Sequence, residues 1–475
     1  MKTIRATFFI ILIFISGCTK DNQTQNGITK NLTIFFVNDV HGQIENFSKV
    51  KHIIDAERAK TNVIVASSGD LFSGNPAVDN YTEKGYPIID IMNQIGFDIA
   101  VLGNHEFDYG IEILADRMEQ SQFPWVCANV DVNNSILPQP PPVATITVDN
   151  VKIAFLGLVE TSGSHNKIIP SSHPGKIKEL TFHRAQNVVQ NFTDVKAEED
   201  ADLYIALSHL GINSFEDELG DFELARENSF FDMIIGGHTH AKIDSTVANI
   251  PIFQSGSYLR YLGKIELTIK NRSIQSVDFS LIDLDNYEQH DNQLKAIIET
   301  YDDLPELKEI IGYSHQHHSR WQLGCFYTDA MRIKMDVDVS FQNTGGIRTS
   351  LDKGNITKRE IYEMSPFNNG TIIFEMSVAE IKQFLIGSKS GYYYSGIIIR
   401  KVGGKIEIKD LQNRKIPDDY ILKIGINDYI PAVNNLYFPN NGIVQPLTAA
   451  ETLIAYLENI NSDVYYPDCN RYFRY

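Results

Sequence analysis

Short runs of apolar residues recur along the first half of the chain, each about as long as a buried β-strand. They are rich in β-branched residues, and helix-length segments separate several of them, a pattern typical of α/β layered domains. The runs span residues 32–37, 63–66, 99–102, 151–158, 203–207, 233–235 and 250–253. We therefore predict one α/β domain over residues 31–285.

The periodicity changes after residue 285. Apolar residues at helix spacing within a charged segment predict a helical connector over residues 286–312, and they are Leu294, Ile297, Ile298 and Tyr301. Residues 313–475 return to mixed helix and strand patterns, with a hairpin predicted from 397–402 and 405–408 around two glycines. A chain of 475 residues also exceeds what one hydrophobic core usually organises, so we expect two domains.

The N-terminus has the layout of a secretory signal peptide. Lys2 and Arg5 precede an apolar run over residues 8–15 that is too short for a permanent membrane span. The sequence Ile-Ser-Gly-Cys ending at Cys18 resembles the lipobox of bacterial lipoproteins. This resemblance implies a signal peptide over residues 1–18, a lipid on Cys18, and anchoring in the bacterial cell envelope, at the periplasmic or surface face of the outer membrane. An ordinary secretory signal with a chance cysteine is the alternative. Residues 19–30 are polar and predict a flexible tether.

Charge and cysteine content narrow the possible partners. The formal net charge of −18 would repel nucleic acid and acidic lipid surfaces, so a phosphorylated substrate needs local positive charge such as bound metal ions. No obligate protein partner is predicted. Lipidation of Cys18 would leave Cys127, Cys325 and Cys469, a scattered odd set from which no disulfide framework or structural zinc site follows.

Residue types that bind metals come directly after five of the predicted strands. Because ligands collect beyond the carboxyl ends of the strands in an open α/β sheet, we expect these side chains to converge at one rim. The candidates are Asp39, His41, Asp70, Asn104, His209, His238 and His240. Carboxylates with imidazoles suit zinc, manganese or iron better than calcium. Seven ligands are too many for one ion, so we predict two divalent ions bridged by Asp70.

Each of these elements alone has a simpler explanation. A single histidine after a strand is usually a hydrogen-bonded core residue, and an isolated Gly-Asp is usually a turn. The ordered set favours a metal site over these readings.

The set resembles the calcineurin-like metallophosphoesterases, and more closely their 5'-nucleotidase branch, which includes periplasmic UDP-sugar hydrolase and ecto-5'-nucleotidase. The resemblance implies a four-layer α/β/β/α sandwich followed by an α+β nucleotide-binding domain. It implies one metal held by Asp39, His41, Asp70 and His240, and a second held by Asp70, Asn104, His209 and His238. It also assigns His105 and Asp108, in Gly-Asn-His-Glu-Phe-Asp, as a catalytic dyad. A helix cap or a solvated turn is the alternative role for Asp108.

The C-terminal half carries further motifs of this branch: Asn343-Thr-Gly-Gly-Ile-Arg348, Ser365-Pro-Phe-Asn368 and Asn427-Asp-Tyr-Ile430. Gly345 and Gly346 would let the backbone approach a ligand, and Arg348 would bind phosphate or ribose oxygens together with Asn343. Phe367 and Tyr429 would stack on the base, although Phe367 taken alone could be ordinary core.

The sequence departs from the branch in two places. Val433-Asn434-Asn435 replaces Gly-Gly-Asp, which leaves Asn435 to contact the ribose without a charge. Tyr313 and His317 stand where substrate arginines are common, and Arg320 lies nearby as a possible substitute. We interpret the cluster of His315, His317 and His318 as a surface loop rather than a metal site.

These observations predict a hydrolase that uses two metals to remove the 5'-phosphate of extracytoplasmic nucleotides by attack of a metal-activated water. A UDP-sugar hydrolase and a 2',3'-cyclic-nucleotide phosphodiesterase of the same branch are the alternatives. A surface nucleoside-binding protein without catalysis belongs to a different class and also stays open.

Overall fold

The computed structural model describes residues 29–213, 218–460 and 463–475. The predicted signal peptide with Cys18, and residues 19–28 of the predicted tether, lie outside the described residues. Within the described part of the chain, no helix has both the length and the apolar character needed to cross a bilayer.

The first domain alternates strands and helices. Its strands are β1 (Lys30–Val37), β2 (Asn62–Ser67), β3 (Ile99–Val101), β4 (Trp125–Val126), β5 (Val130–Asp131), β6 (Val143–Val148), β7 (Val151–Val159), β8 (Thr181–Phe182), β9 (Leu203–His209), β10 (Met233–Ile235), β11 (Lys242–Val247), β12 (Ile250–Ser255), β13 (Tyr261–Lys270) and β14 (Ser273–Asp283). Its helices are α1 (Phe47–Arg58), α2 (Pro76–Asp79), α3 (Tyr86–Ile95), α4 (Ile111–Gln120), α5 (Ala185–Val188), α6 (Val195–Glu198) and α7 (Asp221–Glu227). Every predicted strand is found, within two residues at either end.

Two six-stranded sheets form the centre of this domain, in the orders β14-β13-β1-β2-β3-β4 and β11-β12-β10-β9-β7-β6. In β1, the side chains of Ile34 and Phe36 enter the core between the sheets, whereas Phe35 enters the core under the helices of the outer layer. β9 alternates in the same way between the central core and the opposite helical layer. Burial on both faces explains why these strands are continuous apolar runs rather than alternating ones. The predicted four-layer α/β/β/α arrangement is confirmed.

The connector begins with a helix that packs on the first domain. Asp291 caps α8 (Asn292–Asp302) by accepting a hydrogen bond from the backbone N–H of Leu294 at 2.7 Å. Leu294 and Ile298 are buried in the same core cluster as residues of α1 and α3. A 3-10 turn (Pro305–Lys308) follows, and β15 (Ile310–Ser314) begins inside the range predicted for the connector.

The second domain is built around another six-stranded sheet, in the order β23-β18-β22-β16-β19-β25. After β15 its strands are β16 (Val339–Asn343), β17 (Gly354–Thr357), β18 (Gly370–Ser377), β19 (Gly391–Ser395), β20 (Ile398–Val402), β21 (Lys405–Lys409), β22 (Ile421–Asn427), β23 (Ile443–Thr448), β24 (Asp463–Val464) and β25 (Tyr472–Arg474). Its helices are α9 (Arg320–Lys334), α10 (Lys358–Met364), α11 (Val378–Gly387), α12 (Tyr429–Val433) and α13 (Ala449–Ile460). The predicted hairpin is confirmed, because β20 and β21 pair antiparallel around the two glycines.

A disulfide joins Cys325 of α9 to Cys469, with 5.7 Å between the two Cα atoms. The sequence left the pairing of the cysteines open, and the structure pairs these two. The two cysteines are 144 residues apart, so no local spacing marks them. The bond ties the C-terminal segment, including β25, to the core of the domain. Cys127 is a buried free thiol, and burial raises its pKa to about 12.

Candidate active site

The seven candidate metal ligands lie where buried strands end. β1, β2 and β3 run parallel in one sheet, and β7, β9, β10 and β12 run parallel in the other, so the carboxyl ends of each group share an edge. The two edges face each other across the sandwich. His209 Nε2 from the second sheet lies 3.1 Å from Asp70 Oδ2 of the first.

The structure brings all seven side chains together. Ligand atoms of Asp39, His41 and His240 lie within 4.8 Å of one another, and so do those of Asp70, His209 and His238. Asp70 lies between the groups, because its Oδ2 is also 3.9 Å from His41 Nε2. Asn104 completes the second group, with Oδ1 3.0 Å from His238 Nδ1.

Hydrogen bonds on the far side of two imidazoles determine their tautomers. His41 Nδ1 lies 3.1 Å from the carbonyl oxygen of Ser73, and His209 Nδ1 lies 2.6 Å from that of Ser68. A carbonyl can only accept, so each Nδ1 donates a proton to it and each Nε2 is directed at the ligand cluster. The Nε2 of His41 lies 2.9 Å from that of His240, and the Nε2 of His209 lies 3.1 Å from Asp70 Oδ2. Ring nitrogens that converge beside carboxylates in this way fit a bound cation.

The pKa shifts agree with a site that needs positive charge. Burial first, and then Arg348, lowers the pKa of His41 well below its usual range and that of His240 to about 3, so both imidazoles are neutral, as metal ligands must be. Burial raises the pKa of Asp39 to about 7, and the neighbouring Asp70 adds to this rise. Burial lowers the pKa of His209, but Asp70 outweighs it and raises that pKa to about 10. The carboxylates of Asp39 and Asp70 thus favour a positive charge within the ligand cluster.

Five of the seven residues have positive φ angles, a backbone conformation that residues other than glycine rarely adopt. Their φ angles are 52° for Asp39, 51° for His41, 56° for Asp70, 76° for His238 and 56° for His240. Such conformations cost about 1–3 kcal/mol each and cluster at functional sites, where the surrounding structure enforces them. The observed strain therefore supports a functional role for this rim.

A buried carboxylate, Glu106, holds the loops after β2 and β3 together. Its two oxygens accept hydrogen bonds from the backbone N–H groups of Asp70, Leu71 and Gly103. Gly103 is needed for this approach, because a Cβ there would lie 2.3 Å from Asp70 Oδ1. The sequence motif contained Glu106, but no pattern indicated that it organises the backbone around Asp70.

The predicted dyad forms in a 3-10 turn, His105–Tyr109, directly after Asn104. His105 Nδ1 lies 2.6 Å from Asp108 Oδ2, and His105 Nε2 lies 4.0 Å from Asp70 Oδ2. Burial lowers the pKa of His105, but Asp108 and Asp70 outweigh it and raise the pKa above its usual value. Asp108 also accepts a hydrogen bond from Ser172 Oγ at 3.2 Å, and its backbone carbonyl accepts one from Lys176 Nζ. This arrangement favours the protonated form of the His105 imidazole, which lies beside the ligand cluster.

A cavity of about 210 Å³, called here the nucleotide cavity, opens between the domains above this cluster. Six of the predicted substrate residues line it, namely Asn343, Gly345, Gly346, Arg348, Phe367 and Tyr429. Arg348 Nη2 lies 3.3 Å from His41 Nε2, and its guanidinium lies 5.6 Å from the ring centroid of Phe367. Phe367 stacks on His105, with 5.4 Å between ring centroids and 17° between planes. The second domain therefore places the guanidinium of Arg348 beside His41 and the ring of Phe367 against His105.

Asn435, the seventh predicted substrate residue, does not line the nucleotide cavity. It is exposed just after α12, whereas the preceding Asn434 is buried and donates from Nδ2 to the carbonyl oxygen of Ile430 at 2.9 Å. The helical register of α12 turns Asn434 inward and Asn435 outward, so the prediction of a ribose contact from Asn435 finds no support in the structure.

Arg320 and the three neighbouring histidines lie outside the nucleotide cavity. Arg320 begins α9, donates from Nε to the carbonyl oxygen of Ile347 at 2.8 Å, and lines a neighbouring cavity rather than the nucleotide cavity. His315 pairs with Asp463, His317 pairs with Asp352, and His318 contacts Ser314. These three histidines therefore do not form a metal cluster within the described residues.

One loop of the site was missed by the sequence reasoning. Ser171, Ser172, His173 and Lys176 line the nucleotide cavity, and Lys176 Nζ bridges the domains by donating to the backbone carbonyls of Asp108 and Phe367. The loop lies in the connection between β7 and β8, well beyond the end of the predicted apolar run 151–158. Its distance from the strand end kept it out of the candidate set.

Two family models match this chain. "Calcineurin-like phosphoesterase" matches residues 32–242, and "5'-nucleotidase, C-terminal domain" matches residues 306–416, together about two thirds of the sequence. The chain therefore contains a calcineurin-like phosphoesterase domain followed by a 5'-nucleotidase C-terminal domain.

Individual relatives agree with this assignment. The trifunctional nucleotide phosphoesterase protein YfkN of Bacillus subtilis is 29% identical over 457 residues, which cover 83% of this chain but only 30% of YfkN. A 5'-nucleotidase of Vibrio parahaemolyticus is 24% identical, with 94% of this chain and 93% of the relative covered. Among solved structures, a 5'-nucleotidase precursor from Thermus thermophilus shares the fold at a TM-score of 0.80, with 20% identity and coverage of 93% of this chain and 98% of that one.

Proposed function

We propose that the enzyme removes the 5'-phosphate of nucleotides with two divalent metal ions. One observation carries the proposal: a single cavity brings the ligand cluster, the His105–Asp108 pair and Arg348 together with the aromatic rings of Phe367 and Tyr429. The cluster and Arg348 suit a phosphate, and the two rings suit a nucleoside.

The residues present fit two ions in the arrangement predicted from the sequence. Asp39, His41, Asp70 and His240 would hold one ion, and Asp70, Asn104, His209 and His238 would hold the other. When bound, the ions would acidify a water and neutralise charge on the phosphoryl group.

The protein groups around the phosphate would divide the remaining work. His105, fixed by Asp108, would in its protonated form stabilise negative charge as it develops on the phosphoryl or leaving oxygen. Arg348 would bind phosphate oxygens as a forked donor. Phe367 and Tyr429 would hold the base.

A substrate panel tests this proposal. The metal-loaded enzyme is assayed for product release from AMP, UDP-glucose and 2',3'-cyclic AMP, and we expect the highest kcat/KM with AMP. A tenfold preference for the cyclic nucleotide would instead make the protein a phosphodiesterase, and a similar preference for UDP-glucose would make it a UDP-sugar hydrolase. Failure to hydrolyse any of the three would favour the non-catalytic nucleoside-binding alternative.

We further propose that the enzyme acts outside the cytoplasm, anchored by a lipid on Cys18. The signal-like sequence of residues 1–18 and the polar stretch that follows support this proposal. Growth of the producing cells with a labelled fatty acid should label the wild-type chain, and Cys18→Ser should abolish the label and release the enzyme from the membrane fraction. Membrane retention of unlabelled Cys18→Ser would contradict the anchor.

A further inference from the structure

A second cavity continues from the nucleotide cavity on the far side of Tyr429. It has a volume of about 520 Å³ and is called here the side pocket. It shares Ser171, Asn343, Gly345 and Tyr429 with the nucleotide cavity, so the two cavities adjoin at these residues. A substrate in the nucleotide cavity therefore lies next to the side pocket.

The lining of the side pocket contains no carboxylate. Among its eighteen residues, Lys389 and Arg474 carry positive charge and none is Asp or Glu, although the chain as a whole has a net charge of −18. Both side chains are exposed, and neither belongs to an ion pair within residues 29–213, 218–460 and 463–475. The hydroxyl of Ser164 adds a neutral donor to the lining, whereas those of Ser162 and Ser390 already donate to Glu160 and to the carbonyl of Ser388. This combination suits an anion with several acceptor oxygens.

The two cations are held on neighbouring segments. Arg474 lies on β25, where it pairs in register with Gly391 of β19, and Lys389 is two residues before Gly391. The Cys325–Cys469 disulfide fixes the chain just before β25, so the position of Arg474 does not depend on strand pairing alone. The opposite wall comes from the first domain, whose His165 Nε2 lies 3.0 Å from the carbonyl oxygen of Ser388. The side pocket is thus lined by residues of both domains.

The path of α12 indicates which part of a nucleotide would reach the side pocket. Tyr429, its first residue, lines both cavities, whereas Val433 and Asn434 at its other end line only the side pocket. With the 5'-phosphate at the ligand cluster and the base on the aromatic rings, the ribose lies between them. Its hydroxyl edge is then the part of the nucleotide free to carry a group toward α12 and the side pocket.

We propose that the side pocket binds a second phosphate attached to the ribose hydroxyl edge, so that nucleoside 3',5'-bisphosphates are substrates from which the 5'-phosphate is removed. This inference rests on the proposed 5'-nucleotidase function. Lys389 and Arg474 bind the 3'-phosphate. The 3'-phosphate is not cleaved, because none of the candidate metal ligands lines the side pocket.

The test compares two substrates on two variants. For wild type, the double variant Lys389→Gln with Arg474→Gln, and the control Lys334→Gln, kcat/KM for 5'-phosphate release is measured with adenosine 3',5'-bisphosphate and with AMP. Loss of charged hydrogen-bond donors should lower the bisphosphate-to-AMP ratio about tenfold or more in the double variant. Lys334 is exposed at the end of α9 and lines neither cavity, so its replacement should leave the ratio unchanged.

The outcomes separate this inference from the function on which it rests. An unchanged ratio in the double variant, with AMP still hydrolysed, would overturn the side-pocket inference alone. Failure of the wild-type enzyme to hydrolyse AMP would overturn the proposed function. A third substrate, 5'-phosphorylated diadenylate, carries its second phosphate as a diester. If the double variant loses more activity toward it than toward the bisphosphate, the second phosphate is that of an oligonucleotide end.

Discussion

The ligand rim consists of the seven candidate metal ligands, and the nucleotide-reading wall consists of Phe367 and Tyr429. The two meet in one cavity but are built differently. The rim residues follow buried parallel strands, and the side chains of His41 and His209 are fully buried. The wall residues Phe367 and Tyr429 come from loops and a short helix of the second domain and are only half-buried. A rigid rim suits chemistry that tolerates little displacement, whereas an open wall can change its contacts without disturbing the ligands. We therefore expect turnover to depend on the rim and substrate preference on the wall.

The largest effect should come from Asp70, which lies between both ligand groups. Asp70→Asn keeps the size but removes the charge, so we expect kcat for AMP to fall by about a thousandfold or more, with loss of bound metal. Metal analysis and phosphate release measure both. The control Asp116→Asn changes an exposed carboxylate on α4 and should change neither. Normal metal content and activity in Asp70→Asn would remove Asp70 from the proposed bridge.

His105 should separate catalysis from metal binding. His105→Ala removes the charged imidazole beside the cluster, so kcat should fall by about a hundredfold to ten-thousandfold. Metal content should remain that of wild type, because the seven candidate ligands are intact. His183→Ala, at an exposed histidine, provides the matched control. Turnover in His105→Ala comparable to wild type would exclude His105 from the mechanism.

The wall should affect recognition of the base rather than the chemistry. Tyr429→Ala should raise KM for AMP about tenfold, since stacking on an aromatic side chain contributes about 1–3 kcal/mol per base. Hydrolysis of p-nitrophenyl phosphate, which has no nucleobase, should change much less. Equal losses with both substrates would mean that Tyr429 supports the fold of the site instead.

The smallest effect should come from Asn435, which the structure leaves exposed outside the nucleotide cavity. Asn435→Ala should change KM for AMP by less than about twofold, as expected for a surface substitution. Steady-state kinetics with AMP measure it directly. An increase in KM as large as that of Tyr429→Ala would show that Asn435 contacts bound substrate after all.

The sequence predicted the positions of those side chains that directly follow a recognisable strand. Asp70 and His209 stand next to apolar runs, so recognising the strands also placed the side chains at the sheet edges; their binding of metal stays a prediction. The sequence was uninformative where tertiary packing decides. Cys325 and Cys469 pair across the whole second domain, Lys176 enters the site from a loop without periodicity, and the register of α12 separates Asn434 from Asn435.

The number of metal ions per chain in the active enzyme tests the central claim most directly. Elemental analysis of the purified, metal-loaded protein should give two ions per chain. A chelator that removes them should abolish AMP hydrolysis, and returning the metal should restore it. Full activity with a single ion per chain, or full activity after complete removal of metal, would contradict the account.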